Sequence, residues 1–146
     1  MEIITNSAEE TRSFAKKISK NLKPGNILSL YGSLGAGKTT FIQGLAQGLG
    51  FRQRVFSPTF VIARPYKIEQ GNIKTLYHID LYRLEGVGDI ENTGIEELLL
   101  DKEAVSTIEW PEKIEKWLPK KAIKVRLETL GKEKRKITVD LPNSRL

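Results

Sequence analysis

One stretch, LYGSLGAGKTT at residues 30–40, constrains this chain more than any other. It places three glycines, a lysine and two threonines between two apolar runs. ILSLY (residues 27–31) precedes it and suits a buried parallel strand. TTFIQGLAQGLG (residues 39–50) follows, with Phe41, Ile42, Leu45, Ala46 and Leu49 at helical spacing. Gly32, Gly37, Lys38 and Thr39 fit the pattern Gly, four residues, Gly-Lys-Ser/Thr. Each fixed position has a physical task. Glycines, Gly35 among them, take unusual dihedrals and let backbone approach phosphate without a Cβ in the way. Successive N–H groups then form an anion nest, and the helix N-terminus adds partial positive charge. Lys38 reaches the β- and γ-phosphates, the Thr39 hydroxyl ligates Mg²⁺, and Thr40 donates to the α-phosphate. Strand before and helix after are the context the pattern requires. The expected ligand is a nucleoside triphosphate.

Such a loop needs a carboxylate at a strand end to hold the magnesium shell. Asp80, closing TLYHID, is the first candidate, against the alternative of an aspartate that only caps the next turn. Leu81 follows it, so the adjacent water-activating glutamate of many such sites is missing. Glu109 ends the strand AVSTIE and fills that role if its strand is parallel to the first. It then binds Mg²⁺ directly or through water, or positions the attacking water; the bland alternative is a surface glutamate before a helix. Trp110 packs in the core, supports Glu109 or contacts a partner. In SPTF (residues 57–60), Thr59 is either a switch threonine that approaches the γ-phosphate or part of a proline turn. His78, two residues before Asp80, reads as a core or supporting histidine, and Tyr77 and Tyr82 as sheet packing.

Length and composition agree with this. The chain has 146 residues, 39% of them apolar, which suits one domain spanning 1–146. There is no cysteine and one histidine, so thiolate and histidine-rich metal sites are excluded. No apolar run approaches the roughly 18 residues of a membrane span. The opening MEIITNSAEE is too acidic and polar for a secretory signal, so a cytoplasmic location is expected. With 24 Lys and Arg against 18 Asp and Glu, the net charge of +6 favours anionic partners. GKEKRK (residues 131–136) is either a solvated hairpin tip or a nucleic-acid patch.

The remaining segments predict an α/β fold. Asn6 and Ser7 cap a first helix whose apolar face is Phe14, Ala15, Ile18 and Leu22. TFVIARPYKI and IKTLYHIDLY form a hairpin around EQGN, and AIKVRLETL and KITVDL form a second one. GIEELLL is a short helix, and PEKIEKWL a helical turn or two with proline first. The expectation is a single P-loop NTPase-like domain: a mixed, partly parallel central sheet, antiparallel hairpins and flanking helices.

LYGSLGAGKTT, SPTF, YHIDLYRL, GIEELL and IEWPE, in this order, resemble the TsaE (YjeE) family. That is the small P-loop ATPase of bacterial tRNA threonylcarbamoyladenosine (t6A) synthesis. The resemblance runs from the first helix to at least Glu112, and the final hairpin fits in shape more than in motif. It implies slow, partner-controlled hydrolysis of ATP to ADP with Mg²⁺, beside a TsaB–TsaD pair that modifies the adenosine next to the anticodon. Hydrolysis would reset that assembly, and contact with tRNA would be indirect. The resemblance implies nucleotide contacts at Gly32, Ser33, Leu34, Gly35, Ala36, Gly37, Lys38, Thr39 and Thr40. Thr39, Glu109 and Asp80 would serve the metal, with Asp80, Glu109 and Lys38 as catalytic residues. Thr59 would be the switch threonine, Trp110 half of a functional Glu-Trp pair, and Ser7 would lie near the base. Two other readings compete: a small phosphotransferase, for which few residues remain to build a lid and acceptor pocket, and a nucleotide-gated module that binds RNA or protein.

Overall fold

The structure, a computed structural model, describes residues 1–55, 62–85, 89 and 93–141. In chain order the elements are β1 (Glu2–Thr5), α1 (Ala8–Ser19), β2 (Ile27–Tyr31), α2 (Lys38–Gly48), β3 (Ala63–Lys67) and β4 (Thr75–Asp80). There follow α3 (Ile95–Leu99), β5 (Ala104–Glu109), a 3₁₀ segment (Pro111–Trp117), β6 (Ile123–Thr129) and β7 (Arg135–Asp140). The seven strands of the described residues form one sheet in the order β1-β7-β6-β2-β5-β4-β3.

The expected mixed sheet is present. β2 lies between β5 and β6 and runs parallel to both, and β4 runs parallel to β5. β3–β4 and β6–β7 are the two antiparallel hairpins. A central parallel strand is covered on both faces, which is why ILSLY reads as a nearly continuous apolar run. Leu28 and Leu30 join the core under α1 and α2, while Ile27 joins a second core with Ile79, Ile95, Ile108 and Ile114. β6 alternates instead: Ile123, Val125 and Leu127 are buried while Lys124, Arg126 and Glu128 face solvent.

Ser7 caps α1, its hydroxyl accepting the Glu10 N–H at 3.1 Å. Glu9 and Glu10 lie in the first turn, where the helix dipole favours negative charge. The helix ends at Ser19, so Leu22 is buried beyond its end rather than on it. β1, which has no counterpart among the predicted elements, pairs antiparallel with β7.

The two long helices pack closely because α2 carries a glycine at the contact. A Cβ on Gly44 would meet the Arg12 carbonyl oxygen at 2.4 Å and the Ala15 Cβ at 2.7 Å. Backbone cannot yield cheaply there. Gly44→Ala is therefore expected to cost about 1–3 kcal/mol, as overpacked cores do. A melting temperature unchanged within about 1 °C would show that the helices can separate freely.

Candidate active site

Period two decides which side chains meet. On β4, Leu76 faces the core under α1 and α2 while Tyr77 and Ile79 belong to the opposite one, so His78 and Asp80 share the α2 side. On β5, Val105 does the same, which puts Thr107 and Glu109 on that side too. The parallel register sets Asp80 beside Glu109, and Leu30 at the end of β2 beside Glu109. Two carboxylates and the glycine loop therefore meet at one sheet edge.

The loop leaves β2 at Gly32 and enters α2 at Lys38. Gly35 and Gly37 have φ of 79° and 99°, the left-handed region where a side chain is strained. Gly32 is held for a different reason, since a Cβ there would lie 2.9 Å from the Leu127 carbonyl oxygen. Ala36 is fully buried, and its N–H closes a turn onto the Ser33 carbonyl at 3.0 Å.

Lys38 is only 5% exposed. Its ammonium donates to the Gly32 carbonyl at 2.7 Å and lies 3.7 Å above the Trp110 ring. Burial lowers its pKa, opposed by the charges of Glu109, Glu112 and Asp80. Trp110 adopts φ 61° despite its side chain, a conformation costing of order 1–3 kcal/mol. The ring is braced by Lys38 on one side and Tyr82 at 5.1 Å. Tyr82 is half exposed and packs at a tilt against Trp110, so it is not the sheet-packing residue the sequence suggests.

Glu109 is 4% exposed and its Oε2 takes two contacts. His78 Nε2 lies 2.6 Å away and the Thr39 hydroxyl donates from 3.3 Å. His78 is fully buried, and its Nδ1 has no hydrogen-bond partner among the described residues. With Glu109 ionised, Nε2 is the donor, so the imidazole orients the carboxylate.

Asp80 accepts the Tyr82 N–H at 3.0 Å, a short turn that starts the chain away from the sheet. Burial raises its pKa, the Tyr82 hydrogen bond lowers it, and Glu109 raises it further. Because the folded pKa is raised, ionised Asp80 costs stability at neutral pH, and the cost disappears as pH falls through that pKa. Asp80→Asn should therefore melt higher than wild type at pH 7, with the gap closing in acid. An equal gap at every pH would contradict this.

A cleft of about 340 Å³ joins Gly35, Lys38, Thr39, Asp80, Glu109 and Trp110, with Leu34, Gly37 and Thr40 also on its wall. Larger clefts of about 610 and 660 Å³ lie elsewhere, around Arg52 and Arg64 and near the end of α2. Chemistry rather than volume marks the site. Ser33 is exposed beside the cleft, and Ser7 is engaged as the α1 cap. Thr59 lies outside the described residues. Two contributors escaped sequence reasoning. The Lys113 ammonium donates to the Tyr82 carbonyl at 2.6 Å and to the Leu84 carbonyl, fixing the chain after Asp80. Arg135, in the basic hairpin, donates to carbonyls of the glycine loop itself. Neither has a local signal, because each acts on residues at least 29 positions away.

Among the described residues no helix is long and apolar enough to cross a membrane. A family model described as "Threonylcarbamoyl adenosine biosynthesis protein TsaE" matches residues 5–137. A Bacillus subtilis protein named tRNA threonylcarbamoyladenosine biosynthesis protein TsaE is 40% identical over 134 residues, 92% of this chain and 81% of that relative. Its namesakes from Treponema pallidum and Rickettsia bellii are 36% and 41% identical, covering 95% and 92% of this chain and 99% and 90% of their own lengths. The crystal structure of Bacillus subtilis YdiB superposes with a TM-score of 0.79 at 35% identity, covering 98% of this chain and 86% of that one.

Proposed function

The chain belongs to the TsaE family, and from that premise we propose that it binds and slowly hydrolyses ATP in t6A synthesis, under the control of a TsaB–TsaD-type complex in the cytoplasm. The observation that carries the ATP reading is the juxtaposition of the Gly35–Gly37 loop and Lys38 with Glu109, which lies 3.3 Å from the Thr39 hydroxyl.

The loop amides and Lys38 bind the phosphates. One hydroxyl and two carboxylates, from Thr39, Glu109 and Asp80, form a hard oxygen donor set. That suits Mg²⁺, which keeps several waters and shares its shell with phosphate. Held by these residues, the ion would supply charge neutralisation on the transferred phosphoryl group. Glu109 Oε2 is engaged by His78 and Thr39, so Oε1 is the oxygen available to orient the attacking water or the metal shell. His78 keeps that carboxylate fixed, and the Trp110 ring, with Tyr82 packed against it, covers Lys38 from one side.

The test is ATP turnover with Mg²⁺, alone and with added partners. Slow basal hydrolysis that changes on adding a TsaB–TsaD-type pair supports the reading. ADP release that depends on a small phosphate acceptor would favour a phosphotransferase. Absence of any ATP binding would overturn it, and tRNA binding by the isolated chain would point to a direct RNA contact instead.

A further inference from the structure

We propose that Arg135 is a positioning residue for the phosphate loop, holding its shape from the side opposite the nucleotide. This deepens the ATP reading and rests on it for its functional consequence.

A loop whose amides converge on an anion turns neighbouring carbonyls outward, and those oxygens need partners of their own. Here one side chain provides them. Arg135 Nε donates to the Ala36 carbonyl at 3.0 Å and Nη2 to the Gly35 carbonyl at 3.1 Å. Gly35 and Ala36 are adjacent, so the planar guanidinium takes both with parallel donors, a geometry lysine lacks. The other nitrogen, Nη1, donates to the Gly131 and Lys134 carbonyls at 3.1 and 2.9 Å. One half-buried cation thus clamps the glycine loop to the tip of the β6–β7 hairpin. Among the described residues no carboxylate neutralises it. A Cβ on Gly37 would lie 3.8 Å from Arg135 Nε, so the guanidinium sits directly beneath the loop. Without the clamp the two carbonyls turn to water, and the loop must be ordered again when nucleotide binds.

The experiment compares Arg135→Ala, Arg135→Lys and Lys134→Ala with wild type. Lys134 removes the same charge from the hairpin tip, but its side chain makes none of these bonds. MgADP affinity should fall about tenfold to a hundredfold in Arg135→Ala, the range for losing bonds from a charged donor. Arg135→Lys should recover part of it, and Lys134→Ala should stay within about twofold of wild type. Without nucleotide, amide exchange at residues 35–38 should quicken in Arg135→Ala and not in Lys134→Ala. Equal losses in Arg135→Ala and Lys134→Ala would reduce the effect to diffuse charge and overturn the proposal. So would wild-type affinity and loop exchange in Arg135→Ala. Should Arg135→Ala not fold, Arg135→Lys decides by the same two measurements. If wild type itself binds no MgADP, the ATP reading fails, and loop exchange alone still decides whether Arg135 is a clamp.

Discussion

Replacing Lys38 by methionine is expected to weaken MgATP binding about 100-fold and to bring turnover to background. The reason is the position of the charge. Lys38 is almost fully buried at the start of α2, so its ammonium meets a phosphate with little competing water. Charge-assisted bonds in such surroundings are about twice as strong as neutral ones. Methionine keeps most of the stem over the Trp110 ring and removes a desolvated charge, so the fold should survive. The same burial gives a pH dependence. Because the Lys38 pKa is lowered, its charge is lost as pH rises through that value, and phosphate affinity should fall with it. In the methionine variant that alkaline loss should be absent. Titrating nucleotide by calorimetry between neutral and alkaline pH checks both statements. Wild-type affinity in Lys38→Met would remove the lysine from the site.

Much of this site was legible because its parts are local or periodic. The glycine pattern is contiguous, and the strands before Asp80 and Glu109 are apolar runs whose ends are marked. What the sequence left open was the register. That Asp80 lies beside Glu109 depends on β4 and β5 being parallel neighbours, a pairing no local pattern encodes. The His78–Glu109 contact follows from the same register and spans 31 residues. β1 escaped notice because four residues, Glu2–Thr5, are too short for alternation to stand out. From the sequence the basic hairpin is either a solvated tip or a nucleic-acid patch; Lys132 and Lys134 are exposed on it, while Lys136 pairs with Glu2. Arg135 differs only because the fold brings it under the glycine loop, 99 residues from Ala36.

Glu109→Gln should separate binding from hydrolysis. Glutamine keeps an oxygen that can still accept from His78 or Thr39, so the loop and the imidazole hold their places. It loses the negative charge that holds the metal shell and orients water. ATP affinity measured without Mg²⁺ should stay within about threefold of wild type, while turnover falls about 100-fold or more, the scale of a lost catalytic base. Magnesium should also raise nucleotide affinity less in the variant than in wild type. Glu109→Ala supplies the contrast. It removes both acceptor oxygens and leaves His78, fully buried, without a partner for Nε2. An unsatisfied buried polar group costs about 1–3 kcal/mol, so the alanine variant should melt lower while the glutamine variant does not. If the two variants lost turnover only in proportion to lost stability, Glu109 would be a structural partner of His78 and nothing more. If turnover collapses in Glu109→Gln at an unchanged melting temperature, the carboxylate acts on the chemistry, and His78 serves by holding it in place.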